Sequence, residues 1–88
     1  MRIEKILVVD DDALSRSYVS EALARNGYVV ESAEDGHKAV TMTLNCRYDI
    51  VFLDLKMPGM SGLEVLKKIK KHTKETIVVI MTAFGSIE

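Results

Sequence analysis

Acidic side chains stand where two apolar segments of this chain end. Asp10, Asp11 and Asp12 follow the first segment, and Asp54 follows a later one. The hydroxyl of Thr82 follows the last apolar segment. Carboxylates that share a pocket repel one another, and their pKa values rise unless a cation lies between them. Mg²⁺ prefers oxygen ligands, so this combination favours metal-assisted chemistry on a phosphoryl group.

Four short segments predict the strands that must position these side chains. They are residues 6–9, 28–33, 50–53 and 77–81. Three of them are apolar without alternation and rich in β-branched residues, which favours strands that are covered on both faces. The segment at 28–33 contains Glu31 and Ser32 and is less apolar, as expected of an edge strand.

Helical patterns fill the intervals between the strands. They cover residues 13–25, residues 36–46 and a segment that begins after Ser61. Asn26-Gly27 after the first pattern favours a left-handed helix end, and Ser61 with Glu64 fits a capping box. Strands that alternate with helices predict a mostly parallel sheet. Because ligands of such sheets bind beyond the carboxyl ends of the strands, we expect the acidic side chains to converge there.

Two of the predicted helices carry apolar faces. In the first helix the apolar residues on roughly one half are Leu14, Tyr18, Val19, Ala22 and Leu23. In the third helix an apolar face is opposed by a basic one: Leu63, Leu66 and Ile69 against Lys67, Lys68 and Lys71. Spacing of this kind is typical of amphipathic helices that pack on a core and leave the charged face in solvent.

Composition limits the classes of protein that remain. The formal net charge is -1, with 12 Lys and Arg against 13 Asp and Glu, which gives no electrostatic case for binding nucleic acid or anionic lipid. Cys46 is the single cysteine, so no internal disulfide can form. No apolar run approaches the ~18 residues of a membrane span. A mass of 9.8 kDa allows one small domain, which we expect in a reducing compartment.

The acidic segments carry a resemblance to a known family. Residues 6–12 (ILVVDDD), residues 52–62 (FLDLKMPGMSG) and residues 81–83 (MTA) resemble the receiver domain of two-component response regulators. The resemblance runs from about residue 5 to the end of the chain. It implies a flavodoxin-like, doubly wound α/β fold with the parallel strand order 2-1-3-4. The tail MTAFGSIE (81–88) is similar to receivers of sigma-54-dependent transcription activators.

The resemblance also implies roles for individual residues. Asp54 matches the aspartate that accepts the phosphoryl group, and Asp11 matches a direct ligand of Mg²⁺. Asp10 matches an acidic partner that acts on the metal through water. The backbone carbonyl of Lys56 matches the position that completes the metal ligands. Asp12, by contrast, is expected to be a helix cap, which is a common role for aspartate at a junction of this kind.

Two further residues and the partners follow from the same resemblance. Thr82 matches the hydroxyl that bonds the phosphoryl group, and Ala83 matches the small residue beside it. The implied phosphodonor is a phosphohistidine on a sensor histidine kinase, in the cytoplasm. An effector domain, with DNA binding as its expected activity, is implied C-terminal to the receiver in the parent protein. A receiver catalyses its own phosphorylation only weakly and is not an enzyme in the sense of turnover.

A complete receiver continues beyond this point with two more helices and a fifth strand. Residues 1–88 are therefore expected to form one receiver domain that is incomplete at its C-terminus. The apolar strand at 77–81 would then lie at an exposed edge, which predicts self-association or a domain swap. A structural or interaction module that has lost signalling remains an alternative. A metal-dependent phosphohydrolase is disfavoured, because it needs an acid where Lys56 stands.

Overall fold

Strands and helices alternate along the whole of the chain described by the computed structural model, residues 2–81. The elements are β1 Lys5–Val9, α1 Ala13–Arg25, β2 Val29–Ala33, α2 Gly36–Asn45, β3 Ile50–Asp54, α3 Gly62–His72 and β4 Ile77–Met81. The strands form one sheet in the order β2-β1-β3-β4, and every pair is parallel. The predicted strand order is confirmed. Within residues 2–81 no helix has both the length and the apolar character to cross a membrane.

The hydrophobic core lies between one face of the sheet and helices α2 and α3. Alternate residues of the two central strands point into it, and Val65 and Ile69 of α3 pack against them. The fully buried members of the sheet on this face are Leu7, Val9, Val51 and Leu53. Burying an aliphatic side chain of this size stabilises the fold by about 1.5–3 kcal/mol each. The central strands β1 and β3 are thereby held rigidly side by side.

Helix α1 packs on the opposite face, against β1 and β2, and none of its residues is fully buried. The predicted apolar face is only partly correct. Val19, Ala22 and Leu23 are half-buried, whereas Leu14 is 82% and Tyr18 is 74% exposed. Leu14 and Tyr18 lie toward the N-terminal end of the helix, where the chain leaves β1, and there the helix presents them to solvent.

Helix α3 buries a different set of residues from the one predicted. Gly62, Val65 and Ile69 are buried, Leu66 is half-buried, and Leu63 is 61% exposed. The buried spacing of three and then four residues is helical, but the helix is rotated so that Val65 faces the sheet instead of Leu63. The basic outer face is as predicted, since its three lysines are all exposed: Lys67, Lys68 and Lys71.

Local interactions begin each helix close to the end of a strand. The Asp12 carboxylate accepts a hydrogen bond from the Ser15 N–H, which caps α1. The Ser61 hydroxyl accepts one from the Glu64 N–H, which caps α3 as the capping box predicts. After α1 the chain turns at Gly27, whose φ of +94° lies in the left-handed region that favours glycine. These caps fix where the loops at the carboxyl end of the sheet begin and end.

Candidate functional site

Three carboxylates converge where the two central strands end. β1 and β3 are paired with Val9 opposite Leu53, so Asp10 and Asp54 are the next residues of adjacent strands. Asp11 joins them from the loop that follows β1. One carboxylate oxygen from each of the three residues lies within 4.8 Å of the others. The parallel pairing of β1 and β3 therefore brings Asp54 next to Asp10 and Asp11, which lie 43 or more residues earlier in the sequence.

A cavity of about 410 Å³ opens beside these carboxylates. Its walls come from the ends of three strands and from α1, and its lining residues are Asp10, Asp12, Ser15, Val19, Asp54, Lys56 and Met81. Asp10 forms the floor, since only 7% of it is exposed, whereas Asp11 is exposed and Asp54 is intermediate. Asp54 lines this opening and is partly exposed to solvent.

Backbone hydrogen bonds hold two of the carboxylates in place. The Lys56 N–H donates to Asp54 Oδ1 over 3.0 Å, and the Asp12 N–H donates to Asp10 Oδ1, also over 3.0 Å. Both are local bonds between residues two apart, which orient the side chain relative to its own loop. Each bond occupies one oxygen of a carboxylate that has two, and so leaves further acceptor sites for another ligand.

The electrostatics of the cluster reflect burial and like charge. Burial raises the pKa of Asp10 above its ordinary value, and the nearby Asp54 charge raises it further. The hydrogen bond from the Asp12 N–H opposes this shift in the pKa of Asp10 without cancelling it. The Asp12 carboxyl behaves oppositely, because its hydrogen bond from Ser15 lowers its pKa. A nearby cation would therefore favour the charged form of Asp10.

The donor set fits a magnesium ion. Mg²⁺ binds oxygen ligands at about 2.0–2.1 Å in octahedral geometry, so two of its ligand oxygens lie about 3–4 Å apart. The oxygens of Asp10, Asp11 and Asp54, all within 4.8 Å of one another, satisfy this spacing with small adjustments. Lys56 is exposed and lines the same cavity, so its loop is close to the cluster. The remaining predicted site residues, Thr82 and Ala83, lie outside the described residues.

Two contacts beside the site were not anticipated from the sequence. The Arg16 guanidinium donates to the carbonyl oxygen of Asp10 over 2.9 Å and so ties α1 to the end of β1. The Met81 carbonyl accepts from the Leu55 N–H over 3.3 Å, which joins the end of β4 to the loop after β3. The contact of Arg16 could have been found from the sequence, because Arg16 lies one helical turn after the Asp12 cap. Met81 belongs to the segment 81–83 (MTA) that carries the resemblance, but nothing in the sequence indicates its hydrogen bond to Leu55.

A larger cavity, of about 580 Å³, lies away from this site. It is formed by the C-terminal ends of α2 and α3 with the chain that leads into β4, and residues 43–47 and 71–76 line it. Its one carboxylate, Glu75, forms an ion pair with Arg47 at 3.2 Å, and so its charge is already compensated. The carboxylates that could share a metal ion are at the smaller cavity.

The sequence matches a known family over almost its whole length. A family model described as "Response regulator receiver domain" matches residues 6–88. The chain is 40% identical over 88 residues to sporulation initiation phosphotransferase F of Bacillus subtilis and covers 71% of that protein. It is 42% identical over 81 residues to the transcriptional regulatory protein ResD of the same organism, but it spans only 33% of ResD.

Solved structures with the same fold include response regulator protein TrrA of Thermotoga maritima. The structure of TrrA in complex with Mg²⁺-BeF has a TM-score of 0.88 and 41% identity to this chain, covering 92% of this chain and 70% of TrrA. A second structure holds TrrA in complex with the histidine kinase ThkA, and the match there has a TM-score of 0.86 and 40% identity, over 93% of this chain and 71% of the other. The flavodoxin-like fold implied by the sequence is thereby confirmed.

Proposed function

This chain belongs to the response regulator receiver domain family, and we propose that it accepts a phosphoryl group on Asp54. The observation that carries the assignment to this residue is the convergence of the Asp54 carboxylate with those of Asp10 and Asp11, within 4.8 Å. Asp54 lies at the end of a central strand and lines the cavity beside these carboxylates. Asp10 shares the strand-end position and lines the same cavity, but it is only 7% exposed, whereas Asp54 is intermediate and so more accessible to a phosphodonor.

The proposed reaction is a direct transfer to the carboxylate. An oxygen of Asp54 forms a bond to phosphorus while the bond from phosphorus to the donor's imidazole nitrogen breaks, and the nitrogen keeps the electron pair. The product is a mixed anhydride of the carboxyl group and phosphate. The Lys56 N–H, 3.0 Å from Asp54 Oδ1, orients the carboxylate for this attack. We place the hydroxyl of Thr82 and the small side chain of Ala83 next to the phosphoryl group on the strength of the family resemblance.

Mg²⁺ is the proposed cofactor. Asp11 and Asp54 would bind it directly, Asp10 would act through water, and the Lys56 carbonyl would complete the protein ligands. The ion supplies positive charge that offsets the charge of the carboxylates and of the transferred group. The proposal draws support from the spacing of the three carboxylates and from the similar TrrA, whose structure holds Mg²⁺-BeF.

The proposed phosphodonor is a sensor histidine kinase. Support comes from TrrA, which is 40% identical and forms a complex with the histidine kinase ThkA. The exposed Leu14 and Tyr18 of α1 stand near Ser15, which lines the cavity, so this apolar surface is a suitable contact for the donor. We place the protein in the cytoplasm and regard it as a signalling module without turnover of its own.

The similarity to regulators that are longer than this chain supports a larger parent protein. ResD, of which the match covers a third, is a transcriptional regulatory protein by name. We therefore propose that residues 1–88 act as the receiver unit of a regulator whose effector, expected to bind DNA, lies C-terminal to it.

Phosphorylation by a small donor tests the assignment of Asp54. Incubation with acetyl phosphate and Mg²⁺ should add one phosphoryl group, visible in the intact mass, and EDTA should prevent it. Asp54→Asn should abolish the label. Asp35→Asn is a matched control, because Asp35 caps α2 through the Lys38 N–H and does not belong to the three-carboxylate cluster. Labelling of Asp54→Asn at the wild-type level, or no label on the wild type, would contradict the proposal.

A further inference from the structure

The positive charge of the chain is concentrated in one short segment. Residues 67–74 contain five of the 12 basic side chains and no acidic one, so the remainder of the chain carries seven basic and 13 acidic residues. Four of the five lysines are exposed, and we refer to them as the lysine patch: Lys67, Lys68, Lys71 and Lys74. A chain with a net charge of only -1 therefore combines a strongly basic region with an acidic remainder.

The charge of the lysine patch is not compensated by the acidic side chains of residues 2–81. The ion pairs in that part of the chain involve other basic residues, namely Arg2, Lys5, Lys38 and Arg47. Lys67 and Lys71 are four residues apart on one helix, and like charges at this spacing destabilise a helix. The helix dipole favours basic residues in the last turn of α3, but Lys67 and Lys68 precede that turn. Stabilisation of α3 therefore does not account for the whole patch.

The fifth lysine of the segment, Lys70, has a structural role instead. Its ammonium donates to the carbonyl oxygen of Thr76 and, over 3.4 Å, to that of Lys74. It is half-buried, and these bonds fix the chain between α3 and β4. The lysine patch makes no comparable contribution to the fold, so its charge is available to a partner.

The lysine patch adjoins the larger cavity, of about 580 Å³. Lys71 and Lys74 belong to both, because they line this cavity. The walls come from the end of α2, the end of α3 and the loop that leads into β4, that is, from residues 43–47 and 71–76. Ligand pockets in proteins have volumes of about 300–1,000 Å³. A group of that size bound here would therefore lie beside two ammonium groups.

The lining of this cavity combines positive charge with an aliphatic wall. Leu44 of α2 supplies that wall and is 56% exposed. Arg47 and Glu75 are paired with each other at 3.2 Å, so the uncompensated charges of the lining are those of Lys71 and Lys74. A ligand complementary to this lining carries negative charge and an apolar group close together.

We propose that the lysine patch and this cavity bind an acidic segment of a partner protein, with an apolar side chain of that segment in the cavity beside Leu44. Carboxylates of the segment contact the exposed lysines on either side of the apolar side chain. The cavity lies at the end of the sheet where β3 and β4 begin, whereas Asp10 and Asp54 lie where strands end. The acidic segment therefore leaves the three-carboxylate cluster open.

An acidic peptide fits this surface better than nucleic acid does. A duplex presents a long array of phosphates and extends beyond the lysine patch, where the chain has six more acidic than basic residues. Its phosphates also bring no aliphatic group to place against Leu44. Neighbouring residues of a peptide supply both the carboxylates and the apolar side chain that the cavity requires.

Binding of a synthetic acidic peptide tests the proposal. A fluorescent peptide with one leucine among glutamates, EELEEE, should bind the protein with a Kd between about 10 µM and 1 mM. Raising NaCl from about 50 to 500 mM should weaken binding at least about fivefold. The peptide with alanine in place of leucine should bind more weakly, because it leaves the cavity unfilled. Failure of EELEEE to bind at about 1 mM protein, or tighter binding of a DNA duplex of about 12 base pairs, would overturn the proposal.

Two charge-removing variants form a matched pair. Lys71→Gln and Arg25→Gln each remove one positive charge from an exposed residue in the last turn of a helix. Lys71→Gln should weaken binding of EELEEE about threefold, as the loss of one exposed ion pair does. Arg25→Gln should bind like the wild type, because α1 packs on the opposite face of the sheet. Equal weakening by the two variants would show an effect of net charge alone and would contradict the proposal.

Backbone amide chemical shifts locate the peptide on the unmodified protein. Saturation with EELEEE should shift the amide signals of residues 43–47 and 67–76 and should leave those of Asp10, Asp11 and Asp54 in place. Leu44→Ala should lower the affinity for EELEEE but not for the alanine peptide, since only the first fills the cavity. Shifts centred on any other part of residues 2–81 would rule out this site.

Discussion

The Asp49 carboxylate accepts a hydrogen bond of 2.9 Å from the backbone N–H of Lys5. The same oxygen accepts the Glu4 N–H over 3.0 Å. Residue 49 immediately precedes β3, and Lys5 begins β1, so one side chain ties the starts of the two central strands together. The opposite ends of those strands carry Asp54 and Asp10, so this bond aligns the strands from the end remote from the site.

The Asp49 contact predicts a specific acid sensitivity. The two backbone donors hold the pKa of Asp49 below its ordinary value of 3.8. A carboxyl whose pKa is lower in the folded state stabilises the fold above its unfolded pKa, and this stability is lost as the pH falls through the folded value. Asp49→Ala should lower the melting temperature at pH 7, and this deficit relative to the wild type should shrink as the pH falls below 4.

Thermal melts between pH 2.5 and pH 7 measure this effect. Asp49→Asn keeps an acceptor oxygen but no charge, so its deficit at pH 7 should be smaller than that of Asp49→Ala and should also shrink in acid. A deficit of either variant that stays constant with pH would show that the Asp49 charge does not contribute.

The buried Asp10 carboxylate should strengthen Mg²⁺ binding and at the same time lower the stability of the metal-free protein. Its pKa is raised by burial and by Asp54, so its charged form opposes folding at neutral pH. Asp10→Asn should therefore raise the melting temperature in EDTA. In saturating Mg²⁺ the wild type should gain about 2.7 kcal/mol at a hundred times its dissociation constant, and the variant should gain less.

Differential scanning calorimetry with and without Mg²⁺ measures both parts of this prediction. Asp12→Asn is the control, because Asp12 caps α1 through the Ser15 N–H and lies outside the three-carboxylate cluster. A loss of stability for Asp10→Asn in EDTA would contradict the assigned role of Asp10.

Gly62 lies so close to the end of β3 that the position has no room for a larger side chain. A Cβ at this position would lie 2.5 Å from Leu55 Cα and 2.9 Å from the carbonyl oxygen of Asp54. Both are backbone atoms and cannot rotate away, so Gly62→Ala should destabilise the protein by about 1–3 kcal/mol, as overpacking does. It should also slow labelling of Asp54, because the strand end must move.

Urea denaturation and the labelling rate together test this requirement. Gly59→Ala is the comparison, since Gly59 has φ of +78° but no atom within 4 Å of a Cβ. That variant should lose about 1–2 kcal/mol through backbone strain and should keep a labelling rate closer to that of the wild type. Equal effects of the two alanines on the labelling rate would argue against a local steric cause.

The hydrogen bond donated by the Tyr48 hydroxyl should make a measurable contribution to the free energy of unfolding. The ring is 2% exposed, and its hydroxyl donates to the Glu31 carboxylate of β2. Burial and this bond raise the pKa of Tyr48. Tyr48→Phe keeps the ring and should cost about 1 kcal/mol of unfolding free energy in urea. Glu31→Gln, which keeps an acceptor, should cost less, and the reverse order would contradict the assignment.

Most strands and helices could be predicted because short stretches of the sequence indicate them. Apolar segments without alternation marked β1, β3 and β4, and the caps at Asp12 and Ser61 marked two helices. The rotation of each helix could not be predicted, since Leu63 and Val65 are equally apolar and only contact with the sheet decides which is buried. The same reason explains why Leu14 and Tyr18 are exposed.

The site could be predicted to the extent that it depends on strand ends. Asp10 and Asp54 end paired strands, so the parallel topology brings them together once it is inferred. The contacts of Arg16 and Met81 depend on the angle of α1 and on the pairing of β4, which no short motif encodes.

Gly62 has a counterpart in Gly36, the first residue of α2, where a Cβ would lie 2.5 Å from Val65 Cγ2. The glycines of this chain limit which substitutions a selection for folded protein would allow. At Gly27 and Gly59 the requirement is a positive φ, which asparagine also adopts. At Gly62 the requirement is space next to backbone atoms, and at Gly36 it is space next to the Val65 methyl group, which would have to repack. A library of folded variants should therefore contain asparagine more often at Gly27 and Gly59 than at Gly36 and Gly62.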